Sequence, residues 1–190
     1  MAMPIAVPRY RIQDLDAFPD DGNRYELLDG VLLVTPAPAL AHQLVVARIA
    51  GELVRCLGNH GPARVVSPGS VELEPNVHLE PDILVIPADE LAGDLRLDTR
   101  WSAIRRWWLA VEVSGAGSLI YDRDHKGPAY LALGVREVWR VDLRARQVFV
   151  SRGGQAGETR HDDQVVWRPA ELSRPLVIAV PSLFEGIAAG

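Results

Sequence analysis

Lysine is nearly absent from this chain: of 20 lysine and arginine residues, only Lys126 is a lysine. Against that background a compact ammonium is either a chance remnant on a solvated helix face or does something a guanidinium cannot, such as delivering a point charge. Cysteine is as scarce. The single Cys56 excludes an intramolecular disulfide, lies in an apolar helical pattern and fits a reducing cytoplasm. No run approaches the roughly 18 apolar residues of a membrane span. The start of the chain has Pro4 and Pro8 but no basic flank before a long apolar stretch, so it does not read as a signal peptide. These absences point to a cytoplasmic protein with no membrane partner. A net charge of -5 also argues against a broad basic surface for gripping nucleic acid, without excluding a local basic groove.

What is present suits one folded domain. With 190 residues, 48% hydrophobic and 24% charged, the chain has enough apolar material for one substantial core. A single domain over 1–190 is expected, with its core at about 24–152 and peripheral N- and C-terminal segments. Tyr25 to Leu28 and Val31 to Thr35 are extended runs joined by Asp29-Gly30, a tight hairpin signal. From Ala39 to Leu57 apolar residues recur at helical spacing, and Gly58 and Gly61 stop the pattern. Strands are expected at 64–66, 70–73, 83–86 and 107–113. The last is apolar but for Glu112, as in a strand covered on both faces. Residues 88–100 read as irregular. A helix is expected from about Asp122 to Leu133 with Gly134 as its cap, then a hairpin of Glu137–Asp142 and Gln147–Arg152. Shorter candidates follow at 165–167 and 176–180, with a terminal turn near 182–187. The pattern is α/β, a mixed sheet flanked by helices.

Chemistry concentrates at strand ends. Asp82 opens one strand and Glu112 lies near the close of another. If those strands are antiparallel neighbours, the two carboxylates converge. A carboxylate inside Trp108–Val113 is costly unless paired or bound to a cation, and Mg²⁺ suits because it takes one or two carboxylates and keeps several waters. Otherwise Asp82 caps the turn after Pro81 and Glu112 pairs with an arginine. Lys126 has Asp122 and Tyr130 one turn away on either side, so it is either the partner of Asp122 in a helical ion pair or a group reaching back to the carboxylates. The Arg100–Trp108 stretch mixes cations with aromatics, but such tryptophans are more often core with arginines reaching to water. The Gly115–Ser118 loop lacks the Gly-Lys-Ser/Thr ending of a phosphate-binding P-loop.

The run Tyr25–Gly30, His42 on the next helix, Pro81-Asp82, Glu112-Val113 with Asp122, Lys126 and Tyr130, then Gly134–Trp139 and Val141-Asp142, resembles the bacterial Uma-type putative restriction endonuclease family, itself similar to the PD-(D/E)XK nuclease superfamily. The resemblance spans about Arg24 to Asp142. It implies a restriction-endonuclease-like core and metal-dependent endonuclease activity, a hydrolase acting on phosphodiester bonds. Mg²⁺, or Mn²⁺ in its place, would be held by Asp82, Glu112 and the Val113 carbonyl, and Lys126 would be a migrated equivalent of the superfamily lysine. Glu26 would join the catalytic group, or is simply the exposed member of an alternating strand. His42, Asp122 and Tyr130 would stand behind the metal ligands, His42 alternatively being a hydrogen-bonded core residue. The implied partner is nucleic acid, DNA before RNA, with a homodimer admitted. The alternative is a nuclease fold that binds nucleic acid or protein without turnover. One departure stands out: family members commonly carry a Ser-Pro-Ser-Thr-like segment where this chain has Ser114-Gly-Ala-Gly-Ser118.

Overall fold

A computed structural model describes residues 8–91, 96 and 98–188. Residues 1–7, read above for a signal peptide, and part of the 88–100 stretch lie outside it. Among the described residues, no helix is long and apolar enough to cross a membrane.

After a 3₁₀ helix at Ile12–Ala17 comes the expected hairpin, β1 (Arg24–Leu28) and β2 (Val31–Thr35), paired antiparallel with Leu28 opposite Val31. Its turn needs left-handed backbone at both central residues, and Asp29 and Gly30 supply it with φ of 50° and 77°. Strand alternation puts Arg24 and Glu26 on one face. Glu26 is buried rather than exposed. Then α1 (Leu40–Leu57) buries Val45, Val46, Ile49, Leu53 and Leu57, and Gly58 ends it at φ 66° by donating its N–H to the Val54 carbonyl.

Four strands follow: β3 (Ala63–Val66), β4 (Val71–Leu73), β5 (Val77–Leu79) and β6 (Ile83–Pro87). The sequence gives no periodic signal for β5, because three residues before a proline are too few to show alternation. After β7 (Leu109–Ser114) comes a composite helix made of α2 (Leu119–Tyr121), a π turn (Asp122–Lys126) and α3 (Gly127–Ala132). It begins earlier than expected and is not uniformly α-helical. The hairpin β8 (Glu137–Asp142) and β9 (Gln147–Arg152) is as expected. A polar edge strand, β10 (Thr159–His161), lacks apolar alternation and went unread.

The larger sheet has the order β10-β9-β8-β7-β6-β3, and a smaller one runs β2-β1-β5-β4. Within the larger sheet only β7 and β8 run parallel. A parallel pair cannot be closed by a hairpin, so the chain must cross over a face of the sheet. The α2–π–α3 segment is that crossover, and it carries Lys126 over the end of β7.

Two apolar clusters cover the sheet. One joins α1 to Trp108, Leu109, Val111 and Trp139, and the other joins Ala110 and Val138 to Val71, Leu79, Trp107 and Tyr130. Of the three tryptophans of the Arg-Trp stretch, Trp107 and Trp108 are therefore core, and Trp101 packs half-buried against the second cluster. The C-terminal hairpin, β11 (Gln164–Trp167) with β12 (Leu176–Ala179), and the 3₁₀ turn Val180–Phe184 are not peripheral. They place Val165, Trp167, Ile178, Leu183 and Phe184 in the first cluster, extending the core past residue 152. The reason is apolar payload: fully burying one such side chain contributes about 1.5–3 kcal/mol.

Candidate active site

β6 and β7 are antiparallel neighbours, with Ile83 opposite Val111. Asp82, just before β6, therefore comes level with Glu112, as the antiparallel register requires. The backbone locks that placement: the Val113 N–H donates to Asp82 Oδ2 at 2.8 Å. Asp82 also takes a hydrogen bond from Arg24 Nη1 at 2.7 Å, and His42 Nε2 lies 3.0 Å from its Oδ2. Asp82 is thus no simple turn cap. His42 comes from the first turn of α1, so the small sheet, the helix and the large sheet meet on one carboxylate.

Glu112 is held by a different set. Tyr130 donates its hydroxyl to Glu112 Oε1 at 2.6 Å, and Lys126 Nζ lies 2.7 Å from the same oxygen. Both contacts fall on Oε1. Lys126 also meets Glu26 Oε1 at 2.8 Å and Oε2 at 3.0 Å, while Asp122 Oδ1 is 3.9 Å away. Its principal partners are Glu26 and Glu112, not the helical neighbour, and it is 3% exposed. That burial excludes the solvated-remnant reading. Asp122 instead accepts a hydrogen bond from Ser114 Oγ at 2.8 Å, and Glu26 accepts one from the Glu80 N–H at 2.6 Å.

The π turn explains how one short segment delivers these groups. A π turn holds more than four residues, so Asp122 and Lys126 both lie on its buried side. His125, between them, is exposed against Tyr121. A cavity of about 160 Å³ opens on the result, lined among others by Arg24, His42, Asp82, Glu112, Val113 and Lys126.

The electrostatics split in two. Burial would raise the Asp82 carboxyl, but His42 and Arg24 together with the Val113 N–H hold it below the usual carboxylate range. Burial pushes Glu112 well above that range; Lys126 pulls it back, while Asp122, Asp82 and Glu26 push it further up. Burial would lower the Lys126 ammonium, yet Glu112, Glu26 and Asp122 raise it, so it stays charged. Tyr130 is raised by burial and by Glu112, which keeps its proton on the phenol.

Four carboxylates, Glu26, Asp82, Glu112 and Asp122, thus face two permanent cations, Arg24 and Lys126. Carboxylates outnumber cations here, and the hard oxygen donors of Asp82 and Glu112 on one cavity fit a divalent cation of the Mg²⁺ type. Among the described residues there is no group of three or more His, Cys, Asp or Glu side chains disposed as a metal cage. Mg²⁺ does not need one, since it binds through one or two carboxylates and keeps its waters. Val113 lines the cavity, and the contact it makes there is through its N–H rather than its carbonyl.

The residues singled out from sequence, Glu26, Asp82, Glu112, Val113, Asp122, Lys126, Tyr130 and His42, come together here. Sequence reasoning missed Arg24, which stands two residues before Glu26 on β1. Period-two alternation puts both on one face, and that signal was available. It also missed the Glu72–His78–Glu80 group behind Glu26, where His78 lies 3.1 Å from each carboxylate. Burial opposes protonation of His78, but the two glutamates raise it to about 9.

The family model described as "Putative restriction endonuclease" (Uma2) matches residues 12–187. Among solved structures, the chain is similar to the crystal structure of a putative nuclease belonging to DUF820 from Anabaena variabilis. The TM-score is 0.74 at 16% identity, over 92% of this chain and 97% of that one. At that identity the likeness establishes the fold. No curated protein matches the chain. With most of its length matched by the family model, the chain belongs to the Uma2 family of putative restriction endonucleases.

Proposed function

We propose that this chain hydrolyses phosphodiester bonds in nucleic acid, DNA foremost, with Mg²⁺ (or Mn²⁺) resident between Asp82 and Glu112. The carrying observation is that two carboxylates brought level by adjacent antiparallel strands and one buried lysine from the crossover share a cavity in which carboxylates outnumber cations. When bound, the cation supplies Lewis-acid activation of the phosphate and of water. Hydrolysis adds water across one P–O ester bond: the water oxygen joins phosphorus, the ester bond breaks, and the leaving oxygen gains a proton. Lys126 stays an ammonium, so its contribution is to offset the negative charge that builds on the phosphoryl oxygens rather than to accept a proton. Glu26 fixes the lysine's position, and Tyr130 fixes the orientation of Glu112. Arg24 and His42 keep Asp82 ionised and aimed at the cavity. The free Cys56 suits a reducing, cytoplasmic setting.

One observation favours a second reading, the same fold binding without turnover. Lys126 is already engaged by two carboxylates, and Asp82 by Arg24 and His42. Single-turnover cleavage of DNA with Mg²⁺, with and without Glu112→Gln, separates the two. Metal-dependent cleavage lost in the variant supports the enzyme; no cleavage by the intact chain with Mg²⁺ or Mn²⁺ supports the binding module.

A further inference from the structure

Lys126 is placed by Glu26, and Glu26 is anchored in turn by Glu80. Strand β5 ends at Leu79, so the Glu80 N–H lies beyond the ladder and donates instead to Glu26 Oε1 at 2.6 Å. The same oxygen lies 2.8 Å from Lys126 Nζ. What holds Glu80 is His78. The imidazole Nε2 lies 3.1 Å from Glu80 Oε1, while Nδ1 lies 3.1 Å from Glu72 Oε1 and 3.4 Å from Ser70 Oγ. An ionised carboxylate only accepts, so with one on each nitrogen both ring nitrogens donate and the ring is an imidazolium. His78 is also the point where three strands of the smaller sheet meet, opposite Leu27 on β1 and opposite Glu72 on β4.

A lysine carries its charge on a flexible four-carbon stem, so the ammonium goes where its carboxylate partners stand. The Glu80 carboxyl is held low by His78 first, against burial, with Arg24 and Lys126 adding to the effect. Without the imidazolium, that carboxylate is left with the two cations of the site as its counter-charges, and the residue whose N–H anchors Glu26 loses its fixed point. We infer that His78 is a positioning residue for the reaction: by clamping Glu80 it fixes Glu26, and through Glu26 the point at which Lys126 meets Glu112. Its effect on rate rests on the reading of the cavity as a phosphodiesterase site; its effect on the lysine does not.

Because Lys126 is the chain's one lysine, lysine labelled with a heavy nitrogen isotope gives a single side-chain ammonium resonance by NMR. In the full chain, His78→Gln is expected to shift or broaden that resonance. With Mg²⁺, the same variant should slow single-turnover cleavage of DNA about tenfold, the scale of losing a group that orients a catalytic one, with the half-saturating DNA concentration unchanged. His60→Gln, at an exposed histidine, should change neither. If His78→Gln does not fold, Glu80→Gln takes its place: it keeps the backbone N–H, removes the clamped carboxylate, and should produce the same two changes. In a folded variant, an unchanged ammonium resonance or an unchanged rate would overturn the assignment. If the intact chain cuts no DNA with Mg²⁺ or Mn²⁺, the hydrolysis reading falls, and the ammonium resonance alone decides whether His78 sets the lysine.

Discussion

Asp82 and Glu112 face one cavity from neighbouring strands, yet their surroundings drive them in opposite directions. Asp82 sits among an arginine, a histidine and a backbone N–H, and its carboxyl is held low. Glu112 is enclosed by a phenol, a lysine already shared with Glu26, and three further carboxylates, and its carboxyl is pushed high. Environment assigns the roles when chemistry does not. Asp82 is a fixed negative charge with its own counter-charges, whereas Glu112 is short of cation and responds to whatever positive charge enters the cavity.

The largest effect should come from removing the responsive member. Glu112→Gln keeps the shape but deletes the charge, and single-turnover cleavage should fall by about three orders of magnitude, with circular dichroism unchanged. A variant that cuts at the parent rate would end the catalytic assignment. Lys126→Arg comes next. The planar guanidinium cannot take the ammonium's place between Glu26 and Glu112, so the rate should drop by about two orders of magnitude with Mg²⁺ affinity little changed. Silence there would reduce the lysine to a structural counter-ion.

The comparison also sets a pH dependence. A carboxyl whose folded-state value is raised binds its proton more tightly in the native protein, so Glu112 costs stability as pH climbs above the ordinary glutamate range. An entering cation must displace that proton, so Mg²⁺ should bind more tightly as pH rises, as titration calorimetry would report. At about one hundred times its Kd, Mg²⁺ should raise Tm by about 5–10 °C, and Asp82→Ala should abolish the rise. A cation-indifferent Tm in the intact chain would break the contrast between the two carboxylates.

The smallest effect lies outside the pair. His78 is raised to about 9 by Glu72 and Glu80 against the opposing effect of burial, so its stabilising contribution is complete below the ordinary histidine value of about 6.5 and is lost as pH rises through about 9. His78→Gln should lower Tm by about 2–4 °C at pH 6 and leave it unchanged above pH 10. A deficit equal at both ends would make the group a packing element only.

The meeting of Asp82 with Glu112 was legible because it depends on two strand ends and one antiparallel register. The hairpin at Asp29-Gly30 and the long helix before Gly58 were legible for the same local reason. Glu26 against Lys126 and Arg24 against Asp82 join distant segments through different sheets, and no local period reports such contacts. Their chemistry came from resemblance or, for Arg24, was missed. The C-terminal hairpin was undervalued because short strands carry a weak signal even when their side chains complete the core.

The π turn at Asp122–Lys126 has a consequence for reading relatives of this chain. A wide turn inside a narrower helix acts as one surplus residue, so the stretches on either side of it are wound out of phase. Spacing counted from Glu112 by uniform α-helical geometry then misjudges where Lys126 and Tyr130 fall around the axis. Two sequences aligned without a gap could therefore place the same ammonium from different positions. The lysine is better traced by what it touches than by its distance along the chain.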